Sequence, residues 1–480
     1  MEKTAVRGMG SIVATGIGAL LCLGLVIAGL AALFVGGTWR SVRDEIRQDK
    51  ELYGQIAGSL LVWMDNRDWA EAAIAAFNVH YPDVSVHFET VGSVDSRARV
   101  SLDGPAGIGP DVFLMPHDHI RNAINDDIAY PFPAEMRDAL AEKLLEAAIM
   151  TCTYEGDLYA VPISTESIAF FYNRELLDGN PVPRTFEELK EFAERWNNPA
   201  QNRFALRWQV SNPYDNYFFL TAFGFELFGP NMDDFRTPNF DSPEARRGIE
   251  FHNNLRRLYN VNTGDATWES TVAAFQRGEV PFTITGPWAI ADAHRNGIDF
   301  GITKLPTIDG VQPRSFSGNI VAAVSSFSRN IPAATAFVNF LAGVEGAGIQ
   351  FRHTGRLAAH RDVSMIDGLR DDVLLRGIME QAAYADPMPT IPEVSQMWDP
   401  MAALFTYTWD GQVSIERAQQ LAMDRYDLLL RMAGRSRFED EMELGSLTGI
   451  GIGLGFALLI AGLVVLFAKS AKKNKKPSLG

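Results

Sequence analysis

Residues 60–88 read LLVWMDNRDWAEAAIAAFNVHYPDVSVHF. The apolar run 60–63 predicts a buried strand, and the alternating run 84–88 predicts a second one. Between them, apolar side chains at helical spacing, among them Ala73 and Phe77, predict a helix over 69–81. A strand, a helix and a strand in this order predict a right-handed crossover unit, with parallel strands covered by helices.

The same alternation of short apolar runs and longer helical patterns continues along the chain. Residues 111–115 form another short apolar run, introduced by Gly109 and Pro110. The patterned stretch is longer than a single α/β core, so the sequence predicts two α/β lobes. Ligands bind beyond the strand ends of such sheets, and between two lobes they bind in the cleft.

The composition is that of a folded, acidic protein. Apolar residues make up 47% of the chain, charged residues make up 21%, and the formal net charge is −16. This acidic excess argues against nucleic acid as a partner, because phosphate binding needs a basic surface. Two cysteines in 480 residues exclude a disulfide scaffold and a Cys-based zinc site.

Charge-free apolar segments stand near both ends of the chain, at 11–37 and 446–468. Each is long enough for a membrane helix, which needs ~20 apolar residues. No small-residue cleavage site follows the first segment, so it reads as an uncleaved helix rather than a leader. The lysine-rich tail 469–480 places both termini in the cytoplasm by the positive-inside rule. The predicted localisation is therefore the cytoplasmic membrane, with the domain between the spans in the periplasm or outside the cell.

The predicted domain plan contains seven parts. They are a cytoplasmic N-terminus (1–10), a transmembrane helix (11–37), an amphipathic stalk (38–58), a two-lobe domain (59–433), a linker (434–445), a second transmembrane helix (446–468) and a basic cytoplasmic tail (469–480). Gly451 and Gly455 in the second span leave two interpretations open, a helix-docking face and a merely glycine-rich membrane helix.

Six motifs occur in order between the two spans. They are LLVWMD (60–65), GPDVFLMPHD (109–118), YEGDLYAVPISTESIAFFYNRELL (154–177), AAFQRGEVPFTITGPWA (273–289), GITKLP (301–306) and MPTIPEVSQMW (388–398). In this order and spacing the chain resembles the maltose/maltodextrin-type periplasmic solute-binding proteins of ABC importers, which form extracellular solute-binding protein family 1. The resemblance covers about 60–430 and leaves out the stalk and both apolar segments.

The resemblance implies a type II-like periplasmic-binding-protein fold with two lobes, an interlobe cleft and hinge crossings, here flanked by one transmembrane helix at each end. Lobe 1 would be about 60–165 and 322–367, lobe 2 about 166–315 and 374–430, with crossings near 164–166, 316–322 and 367–373. The implied function is capture of a maltose/maltodextrin-like oligosaccharide by lobe closure and delivery to a permease and its ATPase. The alternative is a membrane-anchored sugar sensor or scavenger that acts through a partner protein.

A sugar site needs aromatic faces for stacking and polar groups for the hydroxyls. By resemblance, Tyr214, Trp288 and Trp398 match the aromatic stacking positions; the alternative for each is a core aromatic. Asp118 and Glu166 match the hydrogen-bond acceptors. The alternative for Asp118 is a helix N-cap, and for Glu166 it is a salt bridge across the hinge.

Several positions depart from the maltose-type pattern. Met115 stands where an aromatic residue is expected, and Asn212 where a glutamate is expected. The loop 64–68 is shorter than in that family, and its Asp65 and Asn66 are expected to face the cleft. The sugar class is therefore better supported than maltose in particular.

The sequence predicts a binding protein rather than an enzyme. Asp118 and Glu166 resemble the paired carboxylates of a glycosidase only in residue type, because sequence spacing cannot set their separation. No GxSxG, Walker A or HExxH motif occurs, and the histidines show no metal spacing, so no cofactor or metal is expected.

Overall fold

The computed structural model describes residues 54–366 and 372–437, together with Arg47, Asp49, Glu51 and Leu369. The strands are β1 (Gly58–Met64), β2 (Val84–Thr90), β3 (Val112–Pro116), β4 (Thr153–Tyr154), β5 (Asp157–Leu158), β6 (Val161–Ser167), β7 (Ala169–Asn173), β8 (Leu206–Arg207), β9 (Phe282–Thr285), β10 (Phe300–Thr303), β11 (Phe316–Val324), β12 (Leu357–Ala358) and β13 (Asp386–Pro387).

The helices alternate with these strands. They are α1 (Arg67–His80), α2 (Ser93–Asp103), α3 (Ile120–Asn125), α4 (Ala134–Lys143), α5 (Glu146–Cys152), α6 (Arg174–Leu177), α7 (Phe186–Trp196), α8 (Pro213–Thr221), α9 (Pro243–Asn254), α10 (Val272–Gln276), α11 (Ile290–Arg295), α12 (Ile331–Ala342), α13 (Val344–Thr354), α14 (Val373–Ala382), α15 (Trp398–Trp409) and α16 (Ile415–Met432). Short 3₁₀ turns include His117–His119, Pro287–Ala289 and Pro392–Gln396.

The crossover unit predicted for residues 60–88 is confirmed. Strand β1 pairs in parallel with β2 and with β3, and α1 connects β1 to β2. The Asn66 side chain caps the N-terminus of α1, because it accepts a hydrogen bond from the Trp69 amide at 2.9 Å. Trp69, Ala73 and Phe77 lie on the buried face of this helix, so the apolar spacing seen in the sequence is the packing face.

The prediction of parallel sheets is wrong for part of the structure. The large sheet has the order β12-β6-β11-β3-β1-β2, with β13 also paired to β11, and β11 runs antiparallel to both β3 and β6. A crossover helix within one sheet forces neighbouring strands to be parallel. Strand β11 instead follows β10 of the other sheet, so no such helix sets its direction.

A smaller sheet has the order β10-β7-β9-β8. Strand β7 is antiparallel to β9 and β10, while β8 and β9 are parallel. Its core is aromatic: the Phe170 and Phe282 rings stack with centroids 5.1 Å apart. Helices α8, α9, α15 and α16 pack beside this sheet around a second buried cluster that includes Phe405 and Tyr426.

The chain passes directly from one sheet to the other. Strand β6 of the large sheet ends at Ser167, and strand β7 of the small sheet begins at Ala169. Separate apolar clusters lie on the large sheet and on the small sheet. Two sheets with two cores define a two-lobe α/β fold, as predicted.

The apolar segments 11–37 and 446–468, predicted to span a membrane, lie outside the described residues, as do the terminal segments 1–10 and 469–480. Within 54–366 and 372–437, no helix has the length and apolarity needed to cross a bilayer. The longest, α16, has 18 residues and carries charges along its length, and the apolar α12 has only 12. This finding contradicts the predicted localisation in the cytoplasmic membrane with both termini in the cytoplasm, and that localisation is withdrawn.

Candidate ligand-binding site

A cavity of about 550 Å³ opens between the two sheets. Strand ends of the large sheet form one side, and the start of α8, the turn after β9 and the start of α15 form the other. The residues that line it are Ser93, Val94, Pro116, Asp118, His119, Glu166, Gln209, Asn212, Tyr214, Asp215, Trp288, Gly318, Asn319, Ile320, Arg356, Met388 and Trp398. The volume is within the range of small-molecule sites.

Aromatic rings form one wall of the cavity. The Tyr214 ring lies 6.0 Å from the Trp288 ring and 6.0 Å from the Phe316 ring, centroid to centroid. Phe316 in turn meets Trp398 edge-on at 5.9 Å. The three predicted aromatic residues therefore belong to one continuous apolar surface, and each keeps part of its side chain exposed to the cavity.

Gly286 determines where the Trp288 ring lies. A β-carbon at position 286 would overlap carbons of that indole, so only glycine leaves room for it. The backbone of Gly286 is extended, with φ −108° and ψ −174°, which any residue adopts. Glycine is required at position 286 because it leaves space for the Trp288 ring, and not because the backbone conformation of the turn demands it.

Asp118 faces the cavity from the 3₁₀ turn that follows β3. Its Oδ2 accepts a hydrogen bond from the indole Nε1–H of Trp398 at 3.2 Å. Its Oδ1 is buried and has no hydrogen-bond partner among the described residues. Neither oxygen caps the turn or α3, so the N-cap interpretation does not hold.

Glu166, near the end of β6, belongs to a buried group of three charges. Arg356 Nε lies 2.8 Å from Glu166 Oε1, and the terminal nitrogens of Arg356 donate to Asp65 Oδ1 at 3.0 Å and Oδ2 at 2.8 Å. Burial raises the pKa of the Glu166 carboxyl, and Arg356 opposes that shift. Burial acts to lower the pKa of Arg356, but Asp65 and Glu166 outweigh it and the net shift is upward. The salt-bridge interpretation of Glu166 is thus what the structure shows, although Glu166 also lines the cavity.

The structure separates the seven predicted site residues into two groups. Five line the cavity together: Asp118, Glu166, Tyr214, Trp288 and Trp398. Asp65 is held by Arg356 behind the cavity, and the Asn66 side chain is used to cap α1. A contact between any of the seven and a ligand stays a prediction.

Sequence reasoning missed three chemically important residues of the cavity. Arg356 is far in sequence from its two carboxylate partners, and no local pattern marks it. Burial lowers the pKa of His119, which follows Asp118, so this lining imidazole is biased toward its neutral form. Asp215 is directly next to Tyr214 and is buried, and burial raises the pKa of its carboxyl to about 8. Its position beside a predicted stacking residue was the one available sequence signal.

Residues 64–348 match the family of bacterial extracellular solute-binding proteins, and the chain belongs to that family. It is 28% identical over 324 residues to the maltotriose-binding protein of Pyrococcus abyssi, covering 66% of this chain and 69% of that one. It is 25% identical over 375 residues to the galactooligosaccharide-binding protein of Bacillus subtilis, covering 76% and 88%.

A solved structure of a cyclo/maltodextrin-binding protein complexed with maltotetraose has the same fold, with a TM-score of 0.64 and 26% identity. The alignment covers 78% of this chain and 97% of that one. These relatives are named as binding proteins rather than enzymes, which agrees with the prediction that the chain is not an enzyme. The predicted membership of the extracellular solute-binding protein family is confirmed.

Proposed function

We propose that the protein is the substrate-binding component of a carbohydrate ABC importer, which captures a maltodextrin-like oligosaccharide and delivers it to a permease. The observation that carries this proposal is the pairing of the aromatic wall with the buried, unpartnered oxygen of Asp118 in one interlobe cavity. Aromatic rings cover the apolar faces of a pyranose, and carboxylate oxygens accept from its hydroxyls.

The residues take separate roles in this proposal. Tyr214, Trp288 and Trp398 stack on sugar rings, and Asp118 and Glu166 accept hydrogen bonds from hydroxyl groups. Asp65 does not contact the sugar directly. Its bidentate pair with Arg356 fixes the guanidinium beside Glu166. Asn66 likewise does not contact the sugar, and its side chain fixes the residue at which α1 begins.

The proposed movement is closure of two lobes about the strands that connect the sheets. The lobes would comprise about 60–165 with 322–367, and about 166–315 with 374–430. Contacts already join opposite sides of the cavity: Trp398 donates to Asp118, and Asn122 Nδ2 donates to Ser395 Oγ at 2.8 Å. Arg295 and Asp68 form an exposed ion pair across the cleft at 3.0 Å.

The proposal is tested by calorimetric titration of the purified chain with maltose, maltotriose, maltotetraose, trehalose and a galacto-oligosaccharide. We expect binding of at least one of them, and we expect W288A to weaken it by ~10-fold or more, as for a buried aromatic anchor. W196A is the matched control, because Trp196 contacts Arg203 outside the cavity. A wild-type chain that binds no glycan would refute the sugar assignment.

Closure and delivery need two further measurements. Small-angle scattering is expected to give a smaller radius of gyration when the bound sugar is present. Cross-linking in the source cells with the sugar added is expected to capture a permease or its ATPase. Capture of a signalling protein instead would favour the sensor alternative.

A further inference from the structure

We propose that Asp215 contacts the bound sugar as a neutral carboxylic acid and donates a hydrogen bond to one of its oxygen atoms. This inference rests on the proposed function and adds a contact that the family resemblance does not supply. An ionised carboxylate can only accept hydrogen bonds, whereas a neutral carboxylic acid also has an O–H group that can donate one.

The start of α8 aims Asp215 at the cavity. The Asn212 side chain caps this helix by accepting from the Tyr214 amide at 3.0 Å, and Pro213 occupies its first turn. Tyr214 and Asp215, the next two residues, both line the cavity. Asp215 is only 4% exposed, so its carboxyl meets the cavity and little bulk solvent.

The Asp215 carboxyl has no hydrogen-bond or ion-pair partner among the described residues, whereas its neighbour Asn216 is fully used. Asn216 accepts from Trp208 Nε1–H at 2.8 Å and donates to the carbonyls of Gln209 at 2.8 Å and Asn212 at 2.7 Å. The Asn216 side chain therefore stabilises the fold at the start of α8. The adjacent Asp215 side chain makes no such contact and is available to a ligand. An unpartnered buried polar group is costly unless a ligand or water satisfies it.

Among the residues that the structure describes, no neighbouring cation stabilises Asp215 as a carboxylate. Helix α8 packs against α9, α15 and β11, and β11 carries no charged residue. The charged side chains of α9 and α15 that the structure places in ion pairs lie on exposed surfaces: Glu244 with Arg247, Arg246 with Glu250, and Asp399 with Arg425. The titratable groups that remain on these two helices are His252, which is buried among aromatic rings, and Tyr407.

The other titratable groups that line the cavity are Tyr214, on the same helix, and Asp118, His119, Glu166 and Arg356, on the opposite side. Arg356 is the one guanidinium among the residues that line the cavity, and it is already paired with Asp65 and Glu166. Burial, with no opposing charge, raises the pKa of Asp215 to about 8. At neutral pH the carboxyl is therefore protonated and carries an O–H donor.

The pH dependence of sugar affinity tests the inference. If the neutral acid donates to the sugar, the affinity of the wild type falls as the pH rises through about 8, by up to ~10-fold per pH unit, because the proton must be restored for binding. D215N keeps an N–H donor that does not titrate, so its affinity for the best-bound oligosaccharide should not change between pH 7 and 9.5. D215L has neither donor nor acceptor and should bind ~5-fold more weakly than D215N at pH 6.5, the value of one hydrogen bond.

D233N is the matched control, because Asp233 is exposed on a loop away from the cavity. It makes the same Asp-to-Asn substitution at a position that no ligand in the cavity reaches, and it should keep the wild-type pH profile. Circular dichroism at each pH shows whether the variants are folded under the conditions of the titration.

Two results of the pH titration would overturn the proposed role of Asp215. A wild-type affinity that is flat between pH 6.5 and 9.5 would overturn the inference, since Asp215 would then take no part in binding. An affinity that rises with pH would also overturn it, because the carboxylate would then act as an acceptor or as the partner of a cationic sugar. If the wild type binds no glycan at any pH, the proposed function fails instead, so the two failures are distinguishable.

Discussion

Arg356 and Glu166 form an ion pair between two segments far apart in sequence, with Nε and Oε1 2.8 Å apart. Glu166 lies three residues before Ala169, where the chain enters the second sheet, and Arg356 lies directly before β12, which pairs with β6. Asp65, the residue directly after β1, completes the group. Three segments of the chain thus converge on one guanidinium at the base of the cavity.

We expect R356M to destabilise the protein by ~3–5 kcal/mol, because it leaves two buried carboxylates without a cation. The free energy of unfolding in urea, measured without sugar, checks this. R425M is the matched control: Arg425 pairs with Asp399 at the surface, with 45% of its side chain exposed against 10% for Arg356. The control should lose ~1 kcal/mol or less.

The triple variant D65N/E166Q/R356M removes all three charges and should recover much of the stability lost in R356M. Equal losses in R356M and R425M would show that the buried group does not hold these segments together.

D118N should weaken sugar binding by ~10-fold or more, because hydrogen bonds to a charged acceptor contribute ~1.5–3 kcal/mol. The substitution keeps the side-chain shape and leaves an oxygen for the Trp398 indole, so folding should change little. Calorimetric titration measures the effect. D83N, at an exposed position of the same lobe, removes an equal charge and should bind like the wild type. Unchanged affinity in D118N would mean that its unpartnered oxygen does not meet the ligand.

G286A should weaken sugar binding by ~10-fold without unfolding the chain, because the new methyl group displaces the Trp288 ring while the extended backbone accepts alanine. The decisive measurement is the double variant. G286A/W288A should bind no more weakly than W288A, since both changes remove the same contact. G264A is the control, because a β-carbon at Gly264 meets nothing within 4 Å. Additive losses in the double variant would contradict the assigned role of the glycine.

Acid should destabilise the wild type in part through His252. This residue is buried against Trp409 and Phe405, with ring centroids 4.8 and 5.0 Å away, and burial lowers its pKa from 6.5 to about 3. The unfolded chain therefore binds the proton more readily, so this contribution to stability is present above pH 6.5 and is lost as the pH falls toward 3.

The loss should amount to at most ~1.4 kcal/mol per pH unit for one group. H252L should show a flatter dependence of the unfolding free energy on pH between 4 and 7. H87L, a change at an exposed histidine, should keep the wild-type slope. Identical slopes in all three proteins would exclude His252 as a source of acid sensitivity.

The sequence was most informative about local structure, which depends on residues that are close together along the chain. The strand, helix and strand of residues 60–88 follow from local periodicity and an Asn66 cap, and the structure confirms them. Tyr214, Trp288 and Trp398 were predicted from the family resemblance, and all three line the cavity. Asp65 and Asn66 were expected in the cleft, but their side chains serve Arg356 and α1 instead.

By itself, the sequence determined the α/β class, the two lobes and most of the aromatic wall, because these depend on periodicity and on motifs contained in short segments. Only the tertiary structure decided the antiparallel placement of β11, the grouping of Arg356 with Asp65 and Glu166, and the isolation of the Asp215 carboxyl. These features depend on segments that are distant along the chain but adjacent in space. Burial and pairing of charges, which set the chemistry of the cavity, arise only when those segments pack together.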